Sequence, residues 1–364
     1  MISKACVVGI YQRKLEELAR LPGVDLTVAV PPFWRDARGV LPLERMHTEG
    51  YALQVVPMRF NGHFHLHHYR GLGRLIRALR PEILHVDEEP YNLATFQAAW
   101  WGQRVGAQVL FFTWQNLRRT YPPPFSWMER YVYRVSAHAM AGSQEASVVL
   151  RQKGYTGPIT VLPQFGVDPA LFSPAPAGPG AVRPFTIGYA GRLVPEKGVD
   201  LLLRAAAGLP GAWQLRILGE GPARPALKAL AETLGIASRV VFDPPRPSHE
   251  IPTWYRGIDA LVLPSLSRPN WKEQFGRVLT EAMACGVPVV GSESGEIPQV
   301  IGPAGLTFPE GDVEALREAL ARLLEDANLR GELARAGRER VLAHYTQARI
   351  AAQTWEVYRE ALNP

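Results

Sequence analysis

The chain has 364 residues, of which 47% are hydrophobic and 20% are charged. That length favours two domains that each bury a core, and the composition excludes a disordered or fibrous protein. A formal charge of +6 suits anionic ligands such as sugar nucleotides or acidic lipids. The sequence contains no helix-turn-helix, zinc-finger spacing or aromatic RNA-binding signature, so nucleic acid is not expected as a partner.

The sequence also indicates the cellular compartment in which the protein is expected. No apolar run approaches the ~20 residues that a membrane-spanning helix needs. Residues 1–10 lack the basic, apolar and cleavage-site series of a signal peptide. Cys6 and Cys285 fall in a predicted buried strand and at the end of a predicted helix, as expected for reduced core thiols. A cytoplasmic protein is therefore expected.

Short apolar runs alternate with amphipathic stretches in the N-terminal half, which predicts a parallel sheet covered by helices. The predicted strands are 5–10, 25–30, 83–86, 108–112, 138–141 and 159–162. A segment rich in proline, glycine and alanine follows at 173–182, and we interpret it as a linker. Residues 1–172 are thus predicted to form an N-terminal Rossmann-like domain.

A second alternating series begins after the linker and predicts a C-terminal Rossmann-like domain over 183–345. Its predicted strands are 185–189, 214–218, 240–242, 260–263 and 287–290, with helices that include 198–207, 223–234, 313–325 and 328–343. Two doubly wound domains that face each other place ligands in the cleft at the carboxyl ends of their strands. The last helix, within 346–364, is predicted to pack back on the first domain.

Two glutamates flank a glycine in the most informative stretch of the C-terminal half. Glu273 and Glu281 are eight residues apart, and Gly276 lies between them just before an apolar run. Because glycine interrupts the helical pattern, we predict that a helix begins near 275–277. Glu273 then lies in the preceding loop and Glu281 lies one to two turns inside the helix. Carboxylates accept hydrogen bonds from hydroxyls, so one glutamate could hold a hexose and the other a ribose.

The start of that helix is a candidate diphosphate site. Unpaired amides and the partial positive charge of a helix N-terminus attract anions, and we expect the N–H groups of 274–277 to do so here. A helix glutamate usually faces only water. The apolar run that follows Glu281 argues against a solvated face and favours a binding role.

A glycine-containing loop follows the predicted strand at 185–189. It carries Arg192 and Lys197 between Gly191 and Gly198, and such loops let the backbone approach phosphates closely. Two cations there could neutralise the charge of a phosphate-containing ligand. Either cation alone is most often a solvated surface charge, so this interpretation depends on the surrounding motif.

These segments resemble the motifs of retaining GT-B glycosyltransferases, the superfamily that includes glycogen and sucrose synthases and is known as glycosyltransferase family four, or glycosyl transferases group 1. The resemblance implies α/β domains in a GT-B architecture, with two Rossmann-like doubly wound domains facing across a cleft. It also implies retaining transfer of a sugar from a nucleoside-diphosphate sugar, such as a UDP-sugar, to a saccharide, lipid-linked or small-molecule acceptor. The matching stretches are the Glu-x7-Glu segment 273–290 and the segments 166–168, 191–198, 218–222, 295–298 and 305–312.

The resemblance assigns roles to individual residues. It implies catalytic roles for Glu273, Arg192 and Lys197. No cofactor or metal is expected, because this family holds the leaving diphosphate with such a cation pair and the chain has no Asp-x-Asp pair. The implied donor-binding residues are Gly191, Glu281, Phe275, Gly276, Arg277, Gly219 and Gly9.

The resemblance implies that the N-terminal domain, residues 1–172, binds the acceptor. This half matches the family only loosely, as expected if acceptors differ. Relatives commonly carry a glycine pair after the first strand, whereas this chain has Gly9 with Arg13 and Lys14 nearby. Whether these cations substitute is open. Relatives often place a histidine after the strand equivalent to 108–112, where this chain has Gln115. Gln115 can hydrogen-bond a sugar hydroxyl but cannot act as a base at neutral pH.

Glu88 joins Gln115 as an acceptor-side candidate. It belongs to the acidic segment 87–89, which follows a predicted strand, where function gathers in such folds. Capping of the next helix explains the same residues equally well, since acidic side chains favour the first turn of a helix.

His63 is the third acceptor-side candidate and lies in the histidine-rich segment 61–70. If this segment were a strand, His63, His65 and His67 would share one side of it, and a metal site would be conceivable. No cysteine or carboxylate completes the set nearby, so an acceptor-facing loop or a solvated loop is favoured.

Basic and aromatic residues are frequent in the N-terminal half. If they share a surface, this domain could contact the cytoplasmic face of an anionic membrane and reach a lipid-linked acceptor. Burial of the aromatic side chains is the default alternative. The residues are Arg59, Arg70, Arg74, Arg77 and Arg80, with Trp100, Trp101, Tyr121, Phe125 and Trp127.

Other functions share the GT-B fold. A sugar-nucleotide epimerase would consume its donor without transfer. A pyridoxal-phosphate-dependent phosphorylase would need a Schiff-base lysine, and Lys197 is better explained by phosphate. A catalytically silent scaffold that binds a sugar nucleotide is the remaining alternative, against which the presence of Arg192, Lys197, Glu273 and Glu281 argues.

Overall fold

A computed structural model describes residues 1–36, 39–175, 183–247 and 250–363. The chain divides into two compact units: Met1–Gly166 with Gln347–Pro364, and Val167–Thr346. The first unit ends earlier than the predicted domain end at 172. Residues 167–172 belong to the second unit because Arg256 binds the carbonyl oxygen of Leu171 and the Phe172 ring packs against Tyr255. Of the predicted linker 173–182, residues 176–182 lie outside the described part of the chain.

The elements follow the alternation that the sequence predicts. Among the described residues, none of the helices combines the length and apolar character needed to cross a bilayer. The strands are β1 (Thr27–Val30), β2 (Phe33–Asp36), β3 (Gly39–Pro42), β4 (Ala52–Val55), β5 (Met58–Arg59), β6 (His68–Tyr69), β7 (Ile83–Val86), β8 (Gln108–Thr113), β9 (Ser136–Ala141), β10 (Ile159–Val161), β11 (Phe185–Ala190), β12 (Trp213–Leu218), β13 (Val240–Asp243), β14 (Ala260–Leu263), β15 (Val289–Ser292) and β16 (Leu306–Phe308). The α-helices are α1 (Arg13–Ala19), α2 (Leu72–Leu79), α3 (Leu93–Val105), α4 (Phe125–Val135), α5 (Gln144–Gln152), α6 (Val199–Ala207), α7 (Arg224–Thr233), α8 (Ile251–Tyr255), α9 (Arg277–Ala284), α10 (Ile297–Ile301), α11 (Val313–Glu325), α12 (Ala327–His344) and α13 (Gln347–Leu362).

The main sheet of the first unit is parallel. Strands pair in the order β10-β9-β8-β7, and β1 pairs with β4. Ile2 forms parallel bridges to Ala29 of β1 and Val86 of β7, which joins the two groups. Since parallel strands need crossover connections, their carboxyl ends meet at one edge of the sheet. The segments that follow β1, β7, β8 and β10 therefore converge there.

The predicted strand at 5–10 is wrong. Ala5–Val7 and Gly9–Gln12 form short 3-10 helices, and the strand position is held by Ile2, whose amide bonds the His85 carbonyl oxygen. The apolar run is nevertheless buried, since Cys6 is fully covered and its carbonyl oxygen accepts a 2.9 Å hydrogen bond from Nε2 of Gln12. Cys6 is thus a buried free thiol, as is Cys285, although Cys6 lies outside a strand.

The second unit has one sheet of six parallel strands in the order β13-β12-β11-β14-β15-β16. The strand order reverses between β11 and β14, and ligands of doubly wound sheets bind at such a switch point, outside the carboxyl ends of the strands. The predicted strand at 287–290 is shifted to β15, and β16 was not predicted. The loops after β11 and β14 are therefore the first place to look for a site.

The final helix completes the core of the first unit. Ile350 and Val357 of α13 are buried in one apolar cluster with Leu15 and Leu18 of α1. Tyr358 of the same helix donates or accepts a 2.7 Å hydrogen bond with Nδ1 of the buried His85. The last helix of the chain thus packs on α1 and completes the core of the first unit.

We predict that Ile350→Ala lowers the free energy of unfolding by about 2–5 kcal/mol, because a fully buried aliphatic side chain leaves a cavity. Leu362→Ala in the same helix is the matched control, since Leu362 is 43% exposed. Urea titration followed by circular dichroism measures both. Equal losses in the two variants would contradict the packing of α13.

Candidate active site

Two strand-end loops of the second unit bring Lys197 and Glu273 together. Lys197 lies in a short 3-10 helix between β11 and α6, and Glu273 lies between β14 and α9. The two strands are neighbours in the sheet. The distance from Lys197 Nζ to Glu273 Oε2 is 2.5 Å. Residues far apart in the sequence therefore form one charged pair at the switch point.

The pair is largely removed from solvent. The Lys197 and Glu273 side chains are 14% and 10% exposed. Ser265, which follows β14, donates a 2.8 Å hydrogen bond to the same Glu273 oxygen. The Trp271 ring centre lies 5.0 Å from Lys197 Nζ, within the range of a cation–π contact. Because the pair is half-buried, dissolved ions screen the attraction between its two charges less than they would in an exposed pair.

Two close backbone approaches shape these loops, and each needs glycine. Gly295 has φ of 57°, and a Cβ there would lie 1.9 Å from the carbonyl oxygen of Glu273. Gly219 follows β12 with φ of 153°, and its Cβ would lie 1.8 Å from the carbonyl oxygen of Gly191. Any side chain at either position would displace the loop that carries Glu273 or Arg192.

Helix α9 begins as the sequence predicts. Its N-cap is Gly276 in the left-handed region, with φ of 80°, so Glu273 lies in the loop and Glu281 lies inside the helix. Glu281 is buried and accepts a 2.8 Å hydrogen bond from the Tyr255 hydroxyl. Arg277 Nε lies 3.0 Å from its other oxygen. Burial and the neighbouring Glu281 raise the pKa of Tyr255 well above its ordinary value, which keeps its proton in this bond.

Arg192 and Phe275 differ in exposure. The Arg192 side chain is exposed, and its carbonyl oxygen accepts a 2.8 Å hydrogen bond from the Tyr189 hydroxyl. Phe275 is 9% exposed and its ring packs edge-on against Tyr345, with centroids 5.7 Å apart. Phe275 therefore supports the loop by packing, whereas Arg192 presents its cation to solvent.

In the first unit, Gly9 and its neighbouring cations already have partners. The Gly9 amide donates a 2.6 Å hydrogen bond to Oε2 of Glu44. Arg13 pairs with Glu16 at 2.9 Å. Lys14 is buried and donates to the Gln164 carbonyl oxygen at 2.8 Å, and burial lowers the pKa of its ammonium group. These groups serve the packing of the first unit.

Gln115 is likewise held by internal bonds. Its Oε1 accepts a 3.0 Å hydrogen bond from Lys153 Nζ, and its amide donates to the Tyr121 hydroxyl at 3.2 Å. Lys153 also pairs with Glu129. With 7% of its surface exposed, Gln115 joins the segment that follows β8 to Lys153 at the end of α5.

Glu88 is buried at the carboxyl end of β7 and has three partners. It accepts hydrogen bonds from Lys4 Nζ at 2.8 Å, from the Tyr69 hydroxyl at 2.9 Å, and contacts His67 Nε2 at 2.5 Å. Burial raises the pKa of Glu88, but Lys4 and His67 outweigh it and hold the pKa far below its usual range. Glu88 is therefore an ionised anchor and does not cap the next helix, whose N-cap is Asn92.

The histidine-rich segment is mostly a loop, as the favoured interpretation expected, and does not form the strand that the metal-site alternative needs. Residues 61–62 and 64–66 form turns, and His68–Tyr69 is a two-residue strand. His63 is exposed, whereas His67 is fully buried against Glu88. Within the described ranges, no cluster of three or more metal-ligating side chains occurs. The three histidines do not share one side of a strand.

Sequence reasoning missed Ser265, Trp271 and Tyr255. Ser265 could have been found, because a polar residue two positions after the buried strand β14 is a signal of a strand-end site. Tyr255 could not, since its bond to Glu281 depends on α8 packing on α9. Trp271 lies close to Lys197 only in the folded chain, and no local sequence pattern predicts this contact.

Known proteins resemble this chain in sequence and in fold. Residues 179–340 match the family model described as Glycosyl transferases group 1. The D-inositol 3-phosphate glycosyltransferase of Thermobispora bispora is 35% identical over 219 residues, which cover 54% of this chain and 49% of that protein. The chain spans about half the length of the curated relatives it matches first.

Solved structures match almost the whole chain. Sucrose-phosphate synthase from Thermosynechococcus elongatus superposes with a TM-score of 0.73 at 22% identity, covering 99% of this chain and 97% of that chain. Anabaena Alr3699/HepE in complex with UDP superposes with a TM-score of 0.73 at 18% identity and covers 96% of each chain. At these identities the matches show the fold, and the predicted GT-B architecture is confirmed.

The motif-bearing loops that carry Lys197, Glu273 and Gly295 all lie inside the matched segment. The second unit therefore carries the segment by which the chain matches the glycosyl transferases group 1.

Proposed function

We propose that the protein is a retaining glycosyltransferase of family four that transfers a sugar from a nucleoside-diphosphate sugar to an acceptor hydroxyl. The observation that carries this proposal is the half-buried pair of Lys197 and Glu273 at the switch point of the second unit. A cation and a carboxylate held this close can contact the two halves of one donor. The cation suits the phosphates, and the carboxylate suits the sugar hydroxyls.

The diphosphate would be held by cations and amides of the second unit. Lys197 and the exposed Arg192 lie in one loop, and the left-handed Gly198 begins α6 beside them. We infer that a bound diphosphate draws Lys197 from Glu273, because it offers more negative charge than one carboxylate. These two cations would stabilise the leaving group without a metal ion or other cofactor.

The sugar and ribose would be held by the two glutamates. Glu273 Oε2 accepts from Lys197 and Ser265, which fixes the carboxylate at the strand end, and a carboxylate accepts from sugar hydroxyls. Glu281 is oriented by Tyr255 and Arg277 and would accept from the ribose hydroxyls. Gly191, Gly219, Phe275 and Gly276 would act through the loop backbone.

The reaction would break the bond between the anomeric carbon and the diphosphate oxygen through an oxocarbenium-like state. Glu273 is bound to a lysine and a serine, which suits hydrogen bonding to the sugar better than nucleophilic attack. The leaving phosphate would accept the proton of the acceptor hydroxyl on the same face. That route places the new bond where the old one was and retains the configuration.

The names of related proteins support particular classes of donor and acceptor. A neighbour of the same fold was solved in complex with UDP, which favours a UDP-sugar. The curated relative acts on an inositol phosphate by its name, which favours a polyol or saccharide acceptor. Polysaccharide or glycolipid synthesis would use such a reaction. Gly9 remains a predicted donor-binding residue, and Gln115, Glu88 and His63 remain predicted acceptor-side residues.

Contact with an anionic membrane remains part of the proposal. Arg59, Arg70, Arg74, Arg77 and Arg80 are all exposed on the first unit. Trp127 is 60% exposed, whereas Trp101 is covered by the Arg77 guanidinium at 4.8 Å. The exposed arginines support attraction to acidic lipid headgroups more than the aromatic residues do.

We expect a UDP-sugar to raise the melting temperature of the intact protein more than the matched GDP- and ADP-sugars, since a ligand that binds only the folded state stabilises it. Differential scanning fluorimetry with the three nucleotide classes, without added metal, measures this. Absence of a shift with any class would count against sugar-nucleotide binding.

We expect Lys197→Ala and Glu273→Gln each to lower kcat/KM for transfer at least a hundredfold, because each removes a contact to the reacting donor. Lys228→Ala and Glu232→Gln on the exposed face of α7 are the matched controls and should retain wild-type rates. Transfer from a radiolabelled donor, with circular dichroism to check folding, measures both. Wild-type rates in the site variants would remove these roles.

We also expect the product to keep the anomeric configuration of the donor. Proton NMR of the first-formed product reads the configuration from the coupling constant of the anomeric proton. An inverted product would overturn the retaining mechanism, and free sugar epimer without a transfer product would favour the epimerase alternative.

A further inference from the structure

A cavity of about 530 Å³ lies in the first unit at the amino ends of two parallel strands. Its lining includes residues 22–27, which lead into and begin β1, and residues 80–85, which lead into and form most of β7. It therefore lies at the edge of the sheet opposite to the strand-end segments that carry Glu88 and Gln115. Its size is within the range of about 300–1,000 Å³ that is usual for pockets with a bound molecule.

The cavity continues the line of a very short strand. Ile2 lies between β1 and β7 and forms parallel bridges to Ala29 and Val86. The Ile2 amide donates a 2.9 Å hydrogen bond to the His85 carbonyl oxygen, and the Met1 carbonyl oxygen accepts one of 2.9 Å from the Ala29 amide. Met1 and Ile2 also line the cavity. The cavity thus extends from Met1 between the two strands toward their amino ends.

Backbone groups of both strands face this line. In a parallel sheet, the N–H and C=O groups of one residue point to one neighbouring strand, and those of the next residue point to the other. Thr27 faces the line because its carbonyl oxygen accepts from the Met1 nitrogen at 2.7 Å. Ile83 and His85 face it by the same alternation. Within the described residues, the Thr27 N–H, the His85 N–H and the Ile83 carbonyl oxygen have no hydrogen-bond partner on this side.

One extended peptide segment satisfies all three groups. In the parallel register that Ile2 sets, a residue joined to the nitrogen of Met1 accepts from the His85 N–H and donates to the Ile83 carbonyl oxygen. The carbonyl oxygen of the residue before it accepts from the Thr27 N–H. Two residues span roughly 7 Å of a strand. Unpaired backbone groups of this kind are a template for the addition of a strand.

The two faces of the cavity are apolar and belong to different helices. Ile76 of α2 lines one face and shares a buried cluster with Ile2. Tyr358 of α13 lines the other face and belongs to the cluster against which Met1 packs. Because side chains alternate along a strand, the residue joined to Met1 faces α2 and the residue before it faces α13. A strand covered on both faces is apolar at consecutive positions, so the segment requires an apolar side chain at each.

The rim of the cavity is also apolar. Leu79 at the end of α2 is 48% exposed and Leu362 at the end of α13 is 43% exposed, and both line the cavity. An apolar segment between the two helices would cover part of both side chains. Burial of apolar surface of this kind stabilises the folded chain.

The nitrogen of Met1 lies where a peptide nitrogen of this strand would lie. It already makes the hydrogen bond to Thr27 that a strand residue makes. Burial lowers the pKa of this amino group to about 5, so a charge is disfavoured at that position. A peptide N–H donates the same hydrogen bond and carries no charge. The position therefore suits a nitrogen that is part of a peptide bond.

We propose that this cavity is a strand-binding site that takes an extended apolar peptide segment joined to the nitrogen of Met1. The segment runs parallel to β1 and β7 and needs two residues to pair the three backbone groups. It stabilises the first unit and takes no part in the chemistry of transfer, because the cavity lies at the amino ends of the strands. The proposal does not depend on the proposed function.

Two chains that each carry three residues before Met1 test the proposal. One carries Ser-Val-Leu and the matched control carries Ser-Gly-Ser, both released from a cleavable fusion. We expect Ser-Val-Leu to raise the melting temperature by about 5 °C or more over the control. Hydrogen–deuterium exchange with mass spectrometry should show the Thr27 and His85 amides exchanging at least tenfold more slowly. Equal exchange of both amides in the two chains overturns the proposal, whatever the melting temperatures are.

A substitution at the rim locates the segment. Leu79→Ser should lower the melting temperature of the Ser-Val-Leu chain more than that of the Ser-Gly-Ser chain, because only the first has an apolar segment beside Leu79. Val148→Ser is the matched control, since Val148 is 54% exposed on α5 and is not part of the lining. It should affect both chains equally. An equal effect of Leu79→Ser in both chains places the segment outside the cavity and overturns the assignment.

A free peptide tests whether the link to Met1 is required. Acetyl-Ser-Val-Leu-amide, added in millimolar excess to the Ser-Gly-Ser chain, should leave the exchange of the Thr27 and His85 amides unchanged, because a separate peptide also loses translational freedom on binding. Protection by the free peptide would show that the cavity takes strands from separate chains and would overturn the link to Met1.

Discussion

The pairing of Lys197 with Glu273 is the interaction on which the site of the second unit depends. Removing one partner of a half-buried pair leaves a charge that neither water nor the protein satisfies well, and for fully buried pairs this costs about 3–5 kcal/mol. Exposure of 14% and 10% of the two side chains reduces that cost here. The pair still requires both loops to stay in place, and the close approach of Gly295 to the Glu273 backbone constrains the loop of Glu273.

Much of the fold could be predicted because its signals are local. The strands β7, β11 and β14 are short apolar runs with polar residues at their ends, and the structure places them within one residue of the predicted bounds. The start of α9 was predicted from Gly276, since a glycine in the left-handed region interrupts a helix wherever it occurs. These features depend on the residues themselves and little on what packs against them.

The failures concern residues whose environment comes from distant parts of the chain. The apolar run at 5–10 reads as a strand, but the sheet position is held by Ile2, and the Gly9 amide instead bonds Glu44. Gln115 looked available to a ligand because no local pattern places Lys153 against its side-chain oxygen. In each case a hydrogen bond between residues far apart in the sequence decides whether a polar group can reach a ligand or is bonded inside the protein.

The two units place charged groups at the same edge of a parallel sheet but in different surroundings. In the first unit, Glu88 follows β7 and is buried against Lys4 and His67, so its charge is met by internal partners. In the second unit, Arg192 follows β11 with its side chain exposed, and Lys197 pairs with a carboxylate. An exposed cation at a strand end can meet an anionic ligand, whereas a charge that is buried among partners must first lose those contacts.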